Sequence, residues 1–151
     1  MGRDGFVKIF RREGREGREE NTKSFPMDIE AVAHEVVDSA VKVHTALGPG
    51  LLESTYSACL AYELRKRGLS VRTEVDLPII YESVKLTTGY RVDQIVEECV
   101  IVELKAVTRI LEVHDAQLLS HLKLSGLKLG LRINFNVVHL KHGIRRMVNG
   151  L

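Results

Sequence analysis

The chain of 151 residues contains no tryptophan, and its four Phe and four Tyr are spread along the whole sequence. It therefore offers no cluster of aromatic rings of the kind on which successive unpaired bases stack. No apolar run approaches the roughly 20 residues that a membrane-spanning helix needs. The first residues also lack the apolar segment of a secretory signal. These absences predict a cytoplasmic protein that does not enter a membrane.

Cysteine is scarce, since only Cys59 and Cys99 occur and they lie 40 residues apart. This spacing excludes a Cys-x-x-Cys motif for zinc binding or redox chemistry. Both residues lie in otherwise apolar segments. We therefore expect two buried thiols in a reducing compartment and no disulfide.

An excess of one sign of charge is also lacking in most of the chain. Residues 1–27 hold seven Lys or Arg and five Asp or Glu, and the other 124 residues hold 15 of each kind. Many nucleic-acid-binding domains carry a clear basic excess. A surface that binds phosphates would therefore have to be a local patch.

Residues 1–26 are rich in glycine and charge and poor in apolar residues, with one short cluster from Phe6 to Phe10. Such a segment buries too little apolar surface to offset the entropy lost on ordering. We expect a disordered charged tail at 1–26 and one domain at 27–151. The tail could act as a basic arm for nucleic acid, or be an upstream extension of a chain that starts at Met27.

Helical periodicity marks three segments. Asp28 is a good N-cap, and apolar residues recur at three- and four-residue spacing to about Ala46. The sequence Leu47-Gly48-Pro49-Gly50 ends this helix. A second helix is predicted from Leu51 to Arg67, with basic residues in its last turn and Gly68 after it. A third is predicted from about Val113 to Leu124, ending at Gly126.

Between and after these helices the period changes to two, which is typical of strands. The predicted strands are Val71–Val75, Ile79–Tyr81, Val84–Leu86, Gly89–Val96, Val100–Ala106, Leu129–Val138 and Ile144–Val148. The order of helices and strands predicts an α/β domain in which a mixed β-sheet is flanked by helices.

Two acidic residues and a lysine stand out on two neighbouring strands. Glu103 and Lys105 project from the same face, because side chains alternate along a strand. A three-residue hairpin loop at Glu97–Cys99 would place Asp93 opposite Glu103, with their Cβ atoms about 4.5–5.5 Å apart. Two carboxylates so close repel each other unless a cation lies between them. This arrangement favours a Mg²⁺ site, because Mg²⁺ prefers carboxylate oxygens and water.

Lys105 beside such a pair could bind a phosphate as a point charge or help to deprotonate an attacking water. The third predicted helix offers a polar stripe of His114, Gln117 and His121 that could return over the sheet. The alternative is a solvated strand edge or a cross-strand ion pair. Against it, residues 100–106 are strongly apolar, and an unpaired charge on a buried strand is costly.

Several motifs, in order, resemble a known family. Asp93 followed by Glu103-Leu104-Lys105 resembles the signature of PD-(D/E)xK nucleases. Gly50-Leu-Leu-Glu53-Ser-Thr-Tyr56 resembles the motif of the GxxExxY proteins, a branch of that superfamily. Further similar segments are Thr88–Asp93, Val102–Ala106, Ala116–Leu119, Ile133–Asn136 and Ile144–Leu151. The resemblance covers about Met27 to Leu151 and implies a restriction-endonuclease-like core.

The resemblance also implies roles for individual residues. Asp93 and Glu103 would bind the metal, and Lys105 would be the catalytic lysine. Glu53 would add an acidic group, and Gln117 would orient Lys105 or a metal-bound water. Residues with a possible accessory role are Tyr56, Arg91 and His121. For Glu53 an exposed ion pair, and for Tyr56 simple packing, are the alternatives.

Two classes of function follow. One is a Mg²⁺- or Mn²⁺-dependent nuclease that acts on DNA or RNA. The other is a module that keeps the fold with little or no catalysis and binds nucleic acid or protein. A homodimer is compatible with either, since small nucleases that cut both strands often pair two sites by two-fold symmetry.

Overall fold

The computed structural model describes residues 27–87 and 89–150. The tail expected at 1–26, together with Thr88 and Leu151, lies outside the described residues. The helices and strands are α1 (Ile29–Leu47), α2 (Glu53–Lys66), β1 (Val71–Asp76), β2 (Ile79–Tyr81), β3 (Val84–Leu86), β4 (Arg91–Val96), β5 (Val100–Lys105), α3 (Glu112–Ser125), β6 (Leu129–Asn134) and β7 (Ile144–Val148). A 3-10 turn, Leu140–Gly143, precedes β7.

Helix α1 begins and ends where the sequence predicts. The Asp28 side chain accepts a hydrogen bond from the Ala31 N–H at 2.7 Å, which satisfies one of the free donors of the first turn. The helix ends before Gly48, whose φ of 72° suits a residue without a Cβ atom. Its apolar stripe is buried and forms part of the main core: Val32, Ala33, Val36, Ala40 and Val43.

Helix α2 is attached to α1 by ion pairs as well as by apolar contacts. Glu63 is buried and paired with Lys42 of α1 and with Lys66 and Arg67. Burial alone would raise the pKa of Glu63, but hydrogen bonds from these three cations hold it below its usual value. The first residue of this helix is Glu53.

The five main strands form one mixed sheet in the order β1-β4-β5-β6-β7. All neighbours are antiparallel except β5 and β6, which are parallel and connected through α3. Strands β2 and β3 form a separate hairpin. A mixed sheet flanked by helices is therefore confirmed.

The register between β4 and β5 is also as predicted. Val96 pairs with Val100 and Gln94 with Val102, which leaves Glu97–Cys99 as the three-residue loop. Glu97 and Glu98 have φ values of 52° and 54°, a left-handed conformation that is uncommon for glutamate. Their side chains are held by Ser70 N–H and Arg72, respectively. These contacts offset part of the strain in the turn.

The two faces of the sheet bury different cores. Val102 and Leu104 of β5 face α1 and α2 in the larger core. Ile101 lies on the opposite face in a smaller core with Leu118 and Leu122 of α3. Because β5 alternates, Glu103 and Lys105 share the α3 face with Ile101.

Strand β6 is shorter than expected, ending at Asn134 rather than at Val138. The Asn134 side chain exchanges hydrogen bonds with the backbone of Val107 and accepts one from the N–H of Asn136. These bonds draw the chain out of the sheet. Apolar side chains continue beyond this point, so periodicity alone did not reveal the end of the strand.

A substitution at Gly143, the last residue of the 3-10 turn, is predicted to lower the stability of the fold. A Cβ atom here would overlap the backbone oxygen of Asn134, which cannot move without disturbing the end of β6. We expect Gly143→Ala to lower the free energy of unfolding by about 3 kcal/mol, the upper end for overpacking. Urea denaturation followed by circular dichroism measures this change.

Gly130→Ala is the matched control. Its Cβ atom would lie 2.7 Å from Cδ1 of Leu118, a side-chain atom that can shift more easily than the backbone oxygen that Gly143 faces. Its cost should be smaller, about 1 kcal/mol. Equal costs for the two variants would contradict the contact assigned to Gly143.

None of the helices in residues 27–87 and 89–150 combines the length and the apolar character needed to cross a membrane.

Candidate active site

A polar pocket of about 250 Å³ opens on the α3 side of the sheet. Its walls come from the start of α2, from β4 and the residues before it, from β5 and from α3. The lining residues are Glu53, Gly89, Tyr90, Arg91, Asp93, Glu103, Lys105, Gln117 and His121. Seven of the eight residues that the sequence singles out for the site are among them, and only Tyr56 is absent.

Asp93 lies on β4 beside β5. Its Oδ2 accepts a hydrogen bond from the Leu104 N–H at 2.7 Å. Burial raises the pKa of Asp93 to about 6, the Leu104 N–H and Lys105 oppose the rise, and the charges of Glu103 and Glu53 add to it. The carboxyl thus sits where negative charge is already concentrated.

Glu103 lies on the central strand β5 and is only 7% exposed. Its Oε2 lies 2.5 Å from Nδ1 of His121 on α3, and His121 is equally buried. A buried carboxylate is costly unless it is hydrogen-bonded, and His121 supplies that bond. The pair joins the sheet to the helix above it at the wall of the pocket.

Lys105 is the last residue of β5 and is partly buried. It lies two residues beyond Glu103, on the same face, and its positive charge acts on Asp93. Its backbone oxygen accepts a hydrogen bond from the Phe135 N–H at 2.9 Å. This bond fixes the backbone from which the lysine side chain leaves the sheet.

Two further site residues come from helices and are exposed. Glu53 is the first residue of α2, and Gln117 is in the second turn of α3. The charge of Glu53 is close enough to raise the pKa of Asp93. Gln117 lines the same pocket as Lys105, but no hydrogen bond joins the two among the described residues.

Arg91 lines the pocket at its edge and is paired with acidic residues of β1. Its Nε lies 3.2 Å from Oδ1 of Asp76, and its guanidinium is 3.7 Å from Glu74. The side chain is more than half exposed. Arg91 therefore stands at the rim, with part of its charge balanced by β1.

Tyr56 lies in the core. Its hydroxyl donates to the Gly48 oxygen and accepts from the Leu51 N–H at 3.1 Å, and its ring stacks on Phe135. These bonds close the turn between α1 and α2. Tyr56 is therefore packed in the core, which is the alternative that the sequence left open for it.

Sequence reasoning did not single out Gly89 and Tyr90 as part of the site. Tyr90 is 45% exposed and meets the His121 ring edge to face, with ring centroids 6.2 Å apart. Both residues lie just before Arg91 and Asp93 in the sequence. This proximity is the signal that could have identified them as part of the site. His114, by contrast, accepts a hydrogen bond from the Leu111 N–H at the start of its own helix and does not line the pocket.

The two cysteines are free, and both are partly buried, where the sequence predicted buried thiols. Burial, together with the charges of Glu97 and Glu98, raises the pKa of Cys99 to about 11. A thiol that stays protonated at neutral pH is a poor nucleophile. Cys99 also lies outside the pocket.

Asp93 and Glu103 are the residues that could hold a divalent cation. Across the described ranges, no group of three or more His, Cys, Asp or Glu side chains is placed to hold a metal ion. Mg²⁺ does not need such a group, because one or two carboxylates and several waters are its usual ligands in proteins. The donor set therefore fits Mg²⁺ or Mn²⁺ better than Zn²⁺, which prefers closed sites with nitrogen and sulfur ligands.

A family model described as the PD-(D/E)XK nuclease superfamily matches residues 30–147. No curated protein and no solved structure matches the chain. The matched range contains all of the helices and strands except the first residue of α1 and the last residue of β7.

Proposed function

Because the chain belongs to the PD-(D/E)XK nuclease superfamily, we propose that it is a divalent-metal-dependent nuclease that hydrolyses phosphodiester bonds in DNA or RNA. Its mixed five-stranded sheet flanked by helices is the restriction-endonuclease-like fold that this membership implies. The observation that carries the proposal is the meeting of Asp93, Glu103 and Lys105 at one pocket.

Asp93 and Glu103 would hold the cation, Mg²⁺ or Mn²⁺. Burial and the neighbouring carboxylates disfavour the negative charge of Asp93, as its raised pKa indicates. A cation between the two side chains would relieve that cost. When bound, such an ion polarises a phosphoryl oxygen and lowers the pKa of a coordinated water.

Lys105 would supply the positive charge that binds the phosphate or helps to deprotonate the attacking water. Its place two residues beyond Glu103 brings it to the same side of the sheet. Gln117, on the opposite wall, would orient Lys105 or a water. Glu53 would complete the acidic side of the pocket from the start of α2.

DNA is the substrate that we propose first, with RNA as the alternative. At the edge of the pocket, the exposed side chain of Arg91 could contact the phosphates of such a polyanion. A homodimer would pair two pockets for cleavage of both strands. Membership of the GxxExxY branch, suggested by Gly50 to Tyr56, stays a prediction.

A binding module without catalysis is the second candidate. The balance of 15 basic and 15 acidic residues after residue 27 favours a protein partner for such a module, since a neutral domain lacks the broad basic surface of most nucleic-acid binders. A module that binds nucleic acid instead would do so through a local basic patch. For such a module, retention on DNA would depend on salt and would be indifferent to Mg²⁺ and to Lys105→Ala.

Cleavage assays separate the two candidates. We expect the purified chain to cut plasmid DNA, an oligonucleotide or RNA when Mg²⁺ or Mn²⁺ is present, and to stop when EDTA is added. Gel electrophoresis of the products reads out the reaction. Parallel assays on single strands, duplexes and RNA of the same sequence identify the preferred substrate.

A double variant, Asp93→Asn with Lys105→Met, controls for contaminating nucleases, because it is purified in the same way. Cleavage by the double variant equal to that by the wild type would assign the activity to a contaminant. Metal-independent retention of DNA without cleavage would favour the binding module.

A further inference from the structure

The hydrogen bond between Glu103 and His121 is the shortest link between the sheet and α3 at the pocket. It joins Oε2 of Glu103 to Nδ1 of His121 at 2.5 Å, and both residues are 7% exposed. A carboxylate only accepts hydrogen bonds. With Glu103 as a carboxylate, Nδ1 of His121 is the donor of this bond.

The surroundings hold the His121 ring in place. Leu118 and Leu122, its neighbours on α3, are fully buried in the smaller core. Tyr90 lies against the ring at an interplanar angle of 72°. Because these two leucines anchor α3 in the core and Tyr90 borders the ring, the movement of the His121 donor is restricted, which limits the orientations open to the Glu103 carboxylate.

Asp93 and Glu103, the two side chains proposed to bind the cation, each accept a hydrogen bond through one carboxylate oxygen. Asp93 Oδ2 is bonded to the Leu104 N–H, and Glu103 Oε2 is bonded to His121. Within the described residues, Asp93 Oδ1 and Glu103 Oε1 accept no hydrogen bond from protein groups. Each carboxylate thus keeps one oxygen available.

We propose that His121 is a positioning residue that holds Glu103 with one oxygen available to a divalent cation in the pocket. This inference rests on the proposed function, since it concerns the same cation. A hydrogen bond to a ligating side chain orients it before the metal arrives, and loss of such a partner typically weakens metal binding about 10- to 100-fold. His121 would act through the N–H group that donates this hydrogen bond, and a positive charge on its ring is not required.

The test measures cation binding directly, without any reaction. Isothermal titration of the metal-free protein with Mn²⁺ gives the dissociation constant for the wild type, His121→Leu and His121→Asn. Leucine keeps the apolar contacts but has no donor. The asparagine amide can donate from about the position of Nδ1.

We expect His121→Leu to raise the dissociation constant about 10- to 100-fold and His121→Asn to recover most of the loss. In cleavage assays, the loss in His121→Leu should be reduced by raising the Mn²⁺ concentration. His44→Leu is the matched control, because His44 is a buried histidine bonded to the Val137 oxygen at 2.8 Å and lies outside the pocket. It should bind Mn²⁺ as the wild type does.

The outcomes distinguish this inference from the proposed function. If the wild type does not bind Mn²⁺, the metal site itself is wrong. If the wild type binds and His121→Leu binds equally well, or His121→Asn binds as weakly as His121→Leu, the positioning role is overturned while the metal site stands.

A measurement on the wild type keeps the inference testable where a variant fails to fold. Nuclear magnetic resonance of the ¹⁵N-labelled imidazole distinguishes a proton on Nδ1 from one on Nε2. We expect the proton on Nδ1 of His121 in the metal-free protein. A proton found on Nε2 alone would overturn the proposal.

Discussion

Asp93→Asn is expected to make the metal-free protein more stable at pH 8 while it removes metal-dependent cleavage. Burial, followed by the charges of Glu103 and Glu53, raises the pKa of Asp93 to about 6 from an ordinary value of 3.8. Asparagine has no charge, and its side-chain oxygen can still accept the hydrogen bond from the Leu104 N–H. The variant therefore keeps the contact and loses the electrostatic cost.

The size of the gain follows from the pKa. Each unit of pKa difference corresponds to about 1.4 kcal/mol, so the whole difference would be about 3 kcal/mol. The pocket is open to water, which screens part of it. We expect a gain of about 1–2 kcal/mol, or roughly 3–8 °C in the unfolding temperature.

The gain should depend on pH. Because the pKa of Asp93 is higher in the folded state, the folded protein binds the extra proton between about pH 4 and pH 6. The contribution of this proton to the stability of the wild type is therefore lost as the pH rises through this range. Above pH 6 the full electrostatic cost of the charged Asp93 is present. The difference between variant and wild type should be near zero at pH 4 and level above pH 6.

Thermal unfolding at a series of pH values, with and without Mg²⁺, measures both effects. Mg²⁺ should raise the unfolding temperature of the wild type more than that of Asp93→Asn, since a ligand stabilises the state that binds it. Asp76→Asn, at an exposed position on β1, is the control and should change little. A variant less stable than the wild type at pH 8 would contradict the electrostatic account of Asp93.

The central part of the fold could be predicted because local signals and long-range pairing agree there. The apolar run of β5 and the short polar gap before it set the loop at Glu97–Cys99, and this loop determines which residues of β4 and β5 are opposite. Alternation along β5 then places Glu103 and Lys105 on one face. The position of the loop and the alternation along β5 together predict that Asp93 lies beside Glu103 and Lys105.

The contacts that α3 makes with the sheet could not be predicted in the same way. The spacing of His114, Gln117 and His121 places them on one side of a helix, but the angle at which α3 crosses the sheet decides which of them reach the pocket. Gln117 and His121 do, and His114 caps the helix instead. The crossing angle depends on packing, such as that of Leu118 over Gly130, which periodicity does not describe.

Lys105→Met should lower the rate of cleavage about 10²- to 10³-fold, as is typical when one polar group aimed at a developing charge is removed. Methionine keeps the length and apolar stem of lysine but has no charge. The backbone of residue 105 is held by the Phe135 N–H and is bordered by β6, so the fold should survive the change. Single-turnover cleavage with saturating Mn²⁺ measures the rate of the chemical step.

Binding of Mn²⁺ separates the role of Lys105 from that of the carboxylates. A lysine ammonium next to the pocket repels a cation, as its lowering of the Asp93 pKa indicates. Lys105→Met should therefore bind Mn²⁺ at least as tightly as the wild type while cleaving far more slowly. Lys123→Met, at an exposed position on α3 outside the pocket, is the control and should leave both quantities unchanged. Unchanged cleavage in Lys105→Met would remove the lysine from the reaction, and a parallel loss of Mn²⁺ binding would mean that it supports the structure of the site instead of acting on the substrate.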